Sequence, residues 1–338
     1  MGATTINYSK VKNINNYTIL KLLGLKDGRL ASLNEDHSIT IFSKNDLEPE
    51  LTIKPKYYDA FNTLFQLNNG KLVTSIGALS WGFNNIKEFK IIIISLIDNN
   101  SYNIDQIIPI TSTLLKIIEL NDSNSIASFE YNGTITIYSK LDLNYITKTT
   151  FHDTNFNKFS DSLYLGNNEI MCSLSSIKFL NLRDMQYIHE IKDLNATNEI
   201  IKLNKNMVLV SSCQSICKLH IIDILKYQVN STIILDSKIK KINSIQKSFN
   251  GNILLLMDNG KKGLRICNTS FINYLYPLHI VSDYFFVYKF ESSRLEKIYE
   301  LEEQDKYIKL FAEFDNGKIA FKMYENNNHY IKVLDNFL

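Results

Sequence analysis

Proline is almost missing from this chain, with four residues in 338, and cysteine is as rare, also at four. So few cysteines over this length exclude a disulfide-stapled secreted scaffold, and Cys172, Cys213, Cys217 and Cys267 propose no pairing scheme. Charge of one sign is lacking too. The 37 Lys and Arg against 35 Asp and Glu leave a net charge of +2, short of the basic excess of a dedicated nucleic-acid binder, and the lysines are spread rather than clustered. Long apolar runs are absent: Ile91 to Ile94, with Leu96 and Ile97, is far too short to span a bilayer. The opening MGATTINYSK has no signal-peptide core, and Ile6 stands where a myristoylation motif wants Ser or Thr. An intracellular, cytoplasmic setting is the expectation.

Catalytic motifs are the next absence. No phosphate-binding glycine loop, His-Glu-x-x-His or serine nucleophile elbow occurs, so no catalytic, cofactor-binding or metal residue is nominated. Cys213, Cys217 and His220 have the look of a ligand cluster without a fourth ligand, and the expectation is small buried hydrophobes beside a hairpin. Asp36 before His37 reads as a turn residue, not an acid-base pair. The acidic run Glu300 to Asp305 reads as a solvated connection.

What is present is a core-building composition, 45% hydrophobic and 12% aromatic with 21% charged, enough to fold. Period-2 alternation between Gly, Asn, Asp and Ser clusters gives many short strands and almost no helix, so the chain is all-β. Turns fall at Asp27-Gly28, Asn69-Gly70, Asn121 to Asn124, Gly166 to Asn168, Asn204 to Asn206, Asn250-Gly251 and Asn316-Gly317. Asn-Gly and Asp-Gly supply the positive φ of a two-residue hairpin turn. Within this pattern one unit is used twice. DGRLASLNEDHSITIF at 27–42 and SNSIASFEYNGTITIY at 123–138 match at Ala31 and Ala127, Ser32 and Ser128, Ile39 and Ile135, Ile41 and Ile137, and Phe42 and Tyr138.

Seven hairpins at this spacing predict a toroid of four-stranded antiparallel sheets, a single domain over 1–338. First strands begin near Thr18, Phe61, Thr113, Phe159, Thr197, Ile239 and Tyr307. The last unit has three strands. Its fourth is expected to be Thr4 to Lys12, because pairing the two ends removes both exposed strand edges. Pro49 and Pro109 fall in outer strands, where a missing N–H is tolerated.

The stretches Leu30-Ala31-Ser32 with Asp36 to Phe42, and Ile126-Ala127-Ser128 with Asn132 to Tyr138, resemble a unit of the WD-repeat β-propeller family. The resemblance implies a divergent seven-bladed propeller closed by its N-terminal strand. Its repeat signature falls on Ser32, Asp36, Phe42, Ser128, Asn132 and Tyr138, with Phe42 and Tyr138 where the family has tryptophan. It further implies that loops between second and third strands share one face with the links between blades. Two insertions, about 76–89 and 259–283, stand at such places. They carry Trp81, Phe83, Phe271, Tyr274 and Tyr276, and Tyr57-Tyr58 lies in a link on the same face. Aromatic residues on loops above a rigid scaffold are what an interface uses. The function implied is a non-catalytic scaffold or adaptor binding a protein or peptide, without nucleic acid, cofactor or membrane span. The other reading is an enzyme or small-ligand binder working through the central channel.

Overall fold

The computed structural model describes residues 10–14, 18–55, 60–77, 89–120, 125–139, 145–150, 159, 161–174, 176–184, 186–192, 194, 200–213, 215–248, 251–258, 284–291, 294–302, 307–314, 318–325 and 328–334. These form seven four-stranded antiparallel sheets, with no helix among the described residues. The first strands are Ile19–Gly24, Phe65–Gln66, Leu114–Leu120, Asp161–Gly166, Ile201–Lys202, Lys241–Lys247 and Tyr307–Phe314, numbered here as blades one to seven. In blades one to six the strands pair in chain order. Blade seven instead takes its outer strand, Lys10–Asn13, from the start of the chain, with Lys10 opposite Val333 and Asn13 opposite Tyr330.

Each central strand has a neighbouring blade on both faces, which is why it reads as an unbroken apolar run. Ile91 to Ile94 is the buried middle of Phe89–Leu96 in blade two, and Ile253 to Met257 is such a run in blade six. Outer strands keep one wet face and alternate, as Gln228–Ile234 does residue by residue. Pro49 and Pro109 both lie in outer strands. The acidic run is divided: Glu300 to Glu302 belong to the outer strand Arg294–Glu302 of blade six, with Glu300 opposite Phe286, so that part is strand and not a connection.

The turns differ from the two-residue expectation. In blade one the Gly28 N–H bonds Leu25 O at 3.0 Å and the Leu25 N–H bonds Arg29 O at 2.8 Å, and only Gly28 has positive φ. This is a three-residue loop, a type I turn closed by one left-handed residue. Leu67 to Lys71 and Ser248 to Asn252 repeat it around Gly70 and Gly251. Asp27 and Asn69 serve through their side chains, their Oδ1 atoms accepting the Arg29 and Lys71 N–H groups.

Alternate residues of one strand face opposite neighbours, and this builds the ring. In blade one Ala31, Leu33, Ile39 and Ile41 pack with Leu64, Leu72, Ile92 and Ile94 of blade two. Leu22, Leu30 and Phe42 point the other way, against Ala320, Ile331 and Val333 of blade seven. Blade three copies the division: Ile126 and Tyr138 meet Val73 and Ile91 of blade two, while Ala127, Phe129 and Ile135 meet Ile170 and Leu180 of blade four. Blades four and five join through Phe179 and Val210, and five and six through Leu219 and Leu255. Between six and seven the Gln246 side chain donates to Phe311 O at 3.4 Å. The seam between seven and one is tight, since a Cβ on Gly24 would stand 1.8 Å from Glu313 O.

The scattered lysines have a shared use at these boundaries. Lys322 Nζ donates to Ile19 O at 2.5 Å, and Lys26 Nζ to Asn68 O at 3.0 Å. Lys202 Nζ reaches Leu165 O at 3.1 Å, and Lys247 Nζ reaches Leu203 O at 2.6 Å. Lys116 pairs with the buried Asp161 of the next blade, and Lys21 stands 4.3 Å above the Phe65 ring. Each ammonium crosses from one blade to its neighbour, so charge that looks dispersed in sequence joins the sheets.

Candidate interaction rims

An up-and-down order of four strands sorts the connections onto two rims. Turns after the first and third strands share one rim, and turns after the second share the other with the links between blades. Hydrogen bonds confirm the second grouping. The Glu35 N–H bonds Thr18 O at 2.7 Å, and the Tyr131 N–H bonds Thr113 O at 2.8 Å, each joining a turn to the link that enters its blade.

Buried polar side chains fasten this link rim. Glu130 turns one carboxylate oxygen toward the Thr111 N–H at 2.8 Å, the Thr111 hydroxyl at 2.7 Å and the Ser112 N–H at 2.9 Å. Asp161 accepts the Ile200 N–H at 2.6 Å while holding Lys116. In blade two Asn62 Nδ2 donates to Gly77 O at 2.9 Å, and Phe61 bridges Ile76, so the entry to the insertion is tied to the link before it.

The six signature residues hold the repeat. Ser32 Oγ donates to Asn34 Oδ1 at 2.8 Å, and Asn34 Nδ2 donates to Ser38 and Thr40 hydroxyls at 3.0 and 2.9 Å. Asp36 Oδ1 accepts both the N–H and the hydroxyl of Ser38, which together hold its carboxyl below the usual range against the opposing effect of burial. His37 then takes φ 63°, the left-handed position that Gly133 fills in blade three. Asn132 accepts the Thr134 N–H at 3.0 Å and donates to Thr111 Oγ1 at 3.0 Å. Phe42 is fully buried. Tyr138 is nearly so, and burial pushes its phenol up, although hydrogen bonding to Ser128 and Thr136 works the other way.

Trp81, Phe83, Tyr57, Tyr58, Phe271, Tyr274 and Tyr276 lie outside the described residues. Their anchoring strands are described: Ile76 stands opposite Lys90, and Met257 opposite Tyr284, so both insertions connect second to third strands and leave from the link rim. Two residues that the sequence reading passed over are exposed there, Tyr131 at 53% and Ile216 at 42%, both in turns between second and third strands. The signal was available, since each is a large apolar residue inside a turn.

Cys213 and Cys217 are not separate buried thiols. They face each other across the hairpin of blade five and form a disulfide, with Cα atoms 4.1 Å apart. His220 is no ligand partner for them; its Nε2 lies 2.8 Å from Ser212 Oγ and its Nδ1 3.0 Å from Thr232 Oγ1, a polar row across three strands. Burial, assisted by Lys218, lowers the His220 pKa below 6.5. Burial raises the Cys172 thiol, with Asp161 adding to it, at the boundary of blades three and four.

On the opposite rim a groove of about 470 Å³ runs between the first turns of blades one and two, walled by Lys26, Arg29, Asn68 and Lys71. Two of its cations are ion-paired, Arg29 with Asp27 of the wall at 2.7 Å and Lys71 with Asp105 beside it at 2.6 Å, while Lys26 Nζ donates to Asn68 Oδ1 at 2.7 Å. Ile97 and Leu225 are exposed on turns of this rim. No helix of the described residues is long and apolar enough to cross a membrane.

No protein-family model matches the chain, and no curated protein matches it. Solved structures do. The WD40 domain of Toxoplasma gondii coronin is similar with a TM-score of 0.66 at 10% identity, covering 97% of this chain and 87% of that one. The WD40 β-propeller domain of Doa1 is similar with a TM-score of 0.62 at 11% identity, covering 96% of this chain and 95% of that one. At such identities the likeness is one of fold, and the fold is the WD40 β-propeller.

Proposed function

We propose that this propeller is a non-catalytic scaffold that binds a protein or peptide on its link rim. One observation carries the reading: Glu130 and Asp161 on this rim are engaged in holding strands and links, while the rim exposes Tyr131 and Ile216. Asp161 and His220 have both of their side-chain polar atoms committed to neighbours in the fold, and Glu130 commits one carboxylate oxygen to three donors of a link. What the rim has to offer is apolar and aromatic surface on a rigid ring, the composition of interface anchors. Tyr57, Tyr58, Trp81, Phe83, Phe271, Tyr274 and Tyr276 are proposed as further contacts, since their segments belong to the same rim in chain order. That WD40 domains such as those above share the ring supports a binding role by analogy of fold.

The test is Trp81→Ala with Phe83→Ala in the full chain, read by affinity capture with mass spectrometry and by thermal melting. A proteins-captured profile that loses its dominant partner, at an unchanged melting temperature, is the expected result. A large loss of stability would place the two residues in the core and overturn their assignment.

A further inference from the structure

We infer that Cys213 and Cys217 form a thiol–disulfide modification site that sets the mobility of the blade-five turn on the link rim. The second strand, Met207–Cys213, and the third, Cys217–Asp223, pair over seven residues from Met207 opposite Asp223 to the cysteines themselves. The Leu235 N–H bonds Cys217 O at 3.0 Å, and Leu209, Leu219 and Ile221 are buried against blade six, so the hairpin is held without a covalent link. A bond closing so short a loop restricts the unfolded chain far less than a long-range disulfide does. What it does constrain is the turn between the two cysteines, which carries the exposed Ser215 and Ile216.

The two cysteines differ in exposure. Cys217 is 1% exposed, inside the cluster shared with blade six, whereas Cys213 is half-buried at the rim. A small dithiol therefore attacks Cys213 Sγ. Its sulfur bonds to Cys213, the Cys213–Cys217 bond breaks, and Cys217 leaves with the electron pair and takes up a proton. The second thiol of the reductant displaces Cys213, which is released as a thiol, and the dithiol ends as a cyclic disulfide. Two electrons and two protons pass to the protein. Among the described residues Cys172 cannot enter the exchange, because it is buried at the boundary of blades three and four, away from the blade-five hairpin.

The importance of this site for binding rests on the reading of the link rim as the binding face, but its test needs no partner. The full chain is treated with glutathione disulfide or with dithiothreitol, quenched in acid, and alkylated in denaturant for peptide mapping. Amide exchange is followed in parallel. The expected result is a 213–217 linked peptide after glutathione disulfide, two alkylated thiols after dithiothreitol, and amides of 213–217 exchanging about tenfold faster when reduced, with strands 207–212 and 219–223 unchanged. The Cys213→Ser, Cys217→Ser variant should exchange at the fast rate in both conditions. Free thiols at both positions after glutathione disulfide, or equal exchange of 213–217 in the two states, would overturn the inference. So would general loosening of blade five on reduction, which would make the bond a structural staple. If these readouts succeed while rim variants leave partner capture intact, the redox site stands and the binding-face reading fails.

Discussion

Gly24→Ala tests the seam at which the ring closes. The added methyl would stand 1.8 Å from Glu313 O, 2.8 Å from the Glu313 carbonyl carbon and 3.0 Å from Phe314 Cβ. Two of those atoms are backbone in the first strand of blade seven, so no side-chain rotation relieves the overlap. One strand must move by at least about 1 Å in a close-packed interior. Leu22, Leu30 and Phe314, all buried at this boundary, would lose contact together. Overpacking of this kind costs about 1 to 3 kcal/mol, and a backbone obstacle argues for the upper end. For a chain of 338 residues the upper end is a drop of about 4 °C in melting temperature. Gly70→Ala separates this steric effect from a conformational one, because nothing lies within 4 Å of its Cβ position while its φ is +86°. Its cost should be only about 1 kcal/mol, from the left-handed backbone. Calorimetry of both variants decides the matter: a Gly24→Ala protein that melts within about 2 °C of wild type, or above Gly70→Ala, would refute the tight seam.

Three further expectations follow from the same contacts. Deleting residues 1–13 removes the outer strand of blade seven and the Lys12–Glu48 ion pair, exposing the edge of Asn328–Leu334. The truncated chain should melt earlier and self-associate on size exclusion, and a monomer with unchanged melting would contradict closure by this strand. His220, depressed below 6.5, stays neutral in the fold while the unfolded chain takes up a proton, so its contribution is present above 6.5 and is lost as pH falls toward its folded pKa. His220→Gln should therefore flatten the fall in melting temperature between pH 7.5 and 5.5; an unaltered slope would assign the effect elsewhere. Lys116→Ala leaves Asp161 buried without its cation, and with Lys116 itself partly exposed the cost should be about 2 to 3 kcal/mol in urea unfolding. A loss under about 0.5 kcal/mol would show the pair to be as weak as a surface one.

The all-β class, the sheet count and the outer-strand prolines were legible because they depend on local periodicity and on backbone chemistry. The echo between 27–42 and 123–138 was legible for a deeper reason: Phe42 and Tyr138 both face the preceding blade, and Ala31 and Ala127 both face the following one. Turn type was not, since Asp-Gly suits both a two-residue turn and the three-residue loop that forms. Nor could sequence show that Asn34 and Glu130, at equivalent places, do different work, one joining hydroxyls within its blade and the other gripping a link. Lysine stitches between blades, the clearance at Gly24 and the facing of Cys213 and Cys217 are all set by how the sheets meet, which residue spacing does not encode.

The central claim is that the link rim selects the partner. Tyr131→Ala with Ile216→Ser on that rim, and Ile97→Ser with Leu225→Ser on the opposite one, change exposed side chains and should leave melting unaffected. Binding of a partner identified with the wild-type chain is then measured by calorimetric titration. The account predicts at least about a tenfold weaker Kd for the link-rim pair and no change for the other. Unchanged affinity in the first pair, with weakened affinity in the second, would move the binding face to the rim of the Lys26–Lys71 groove and contradict it.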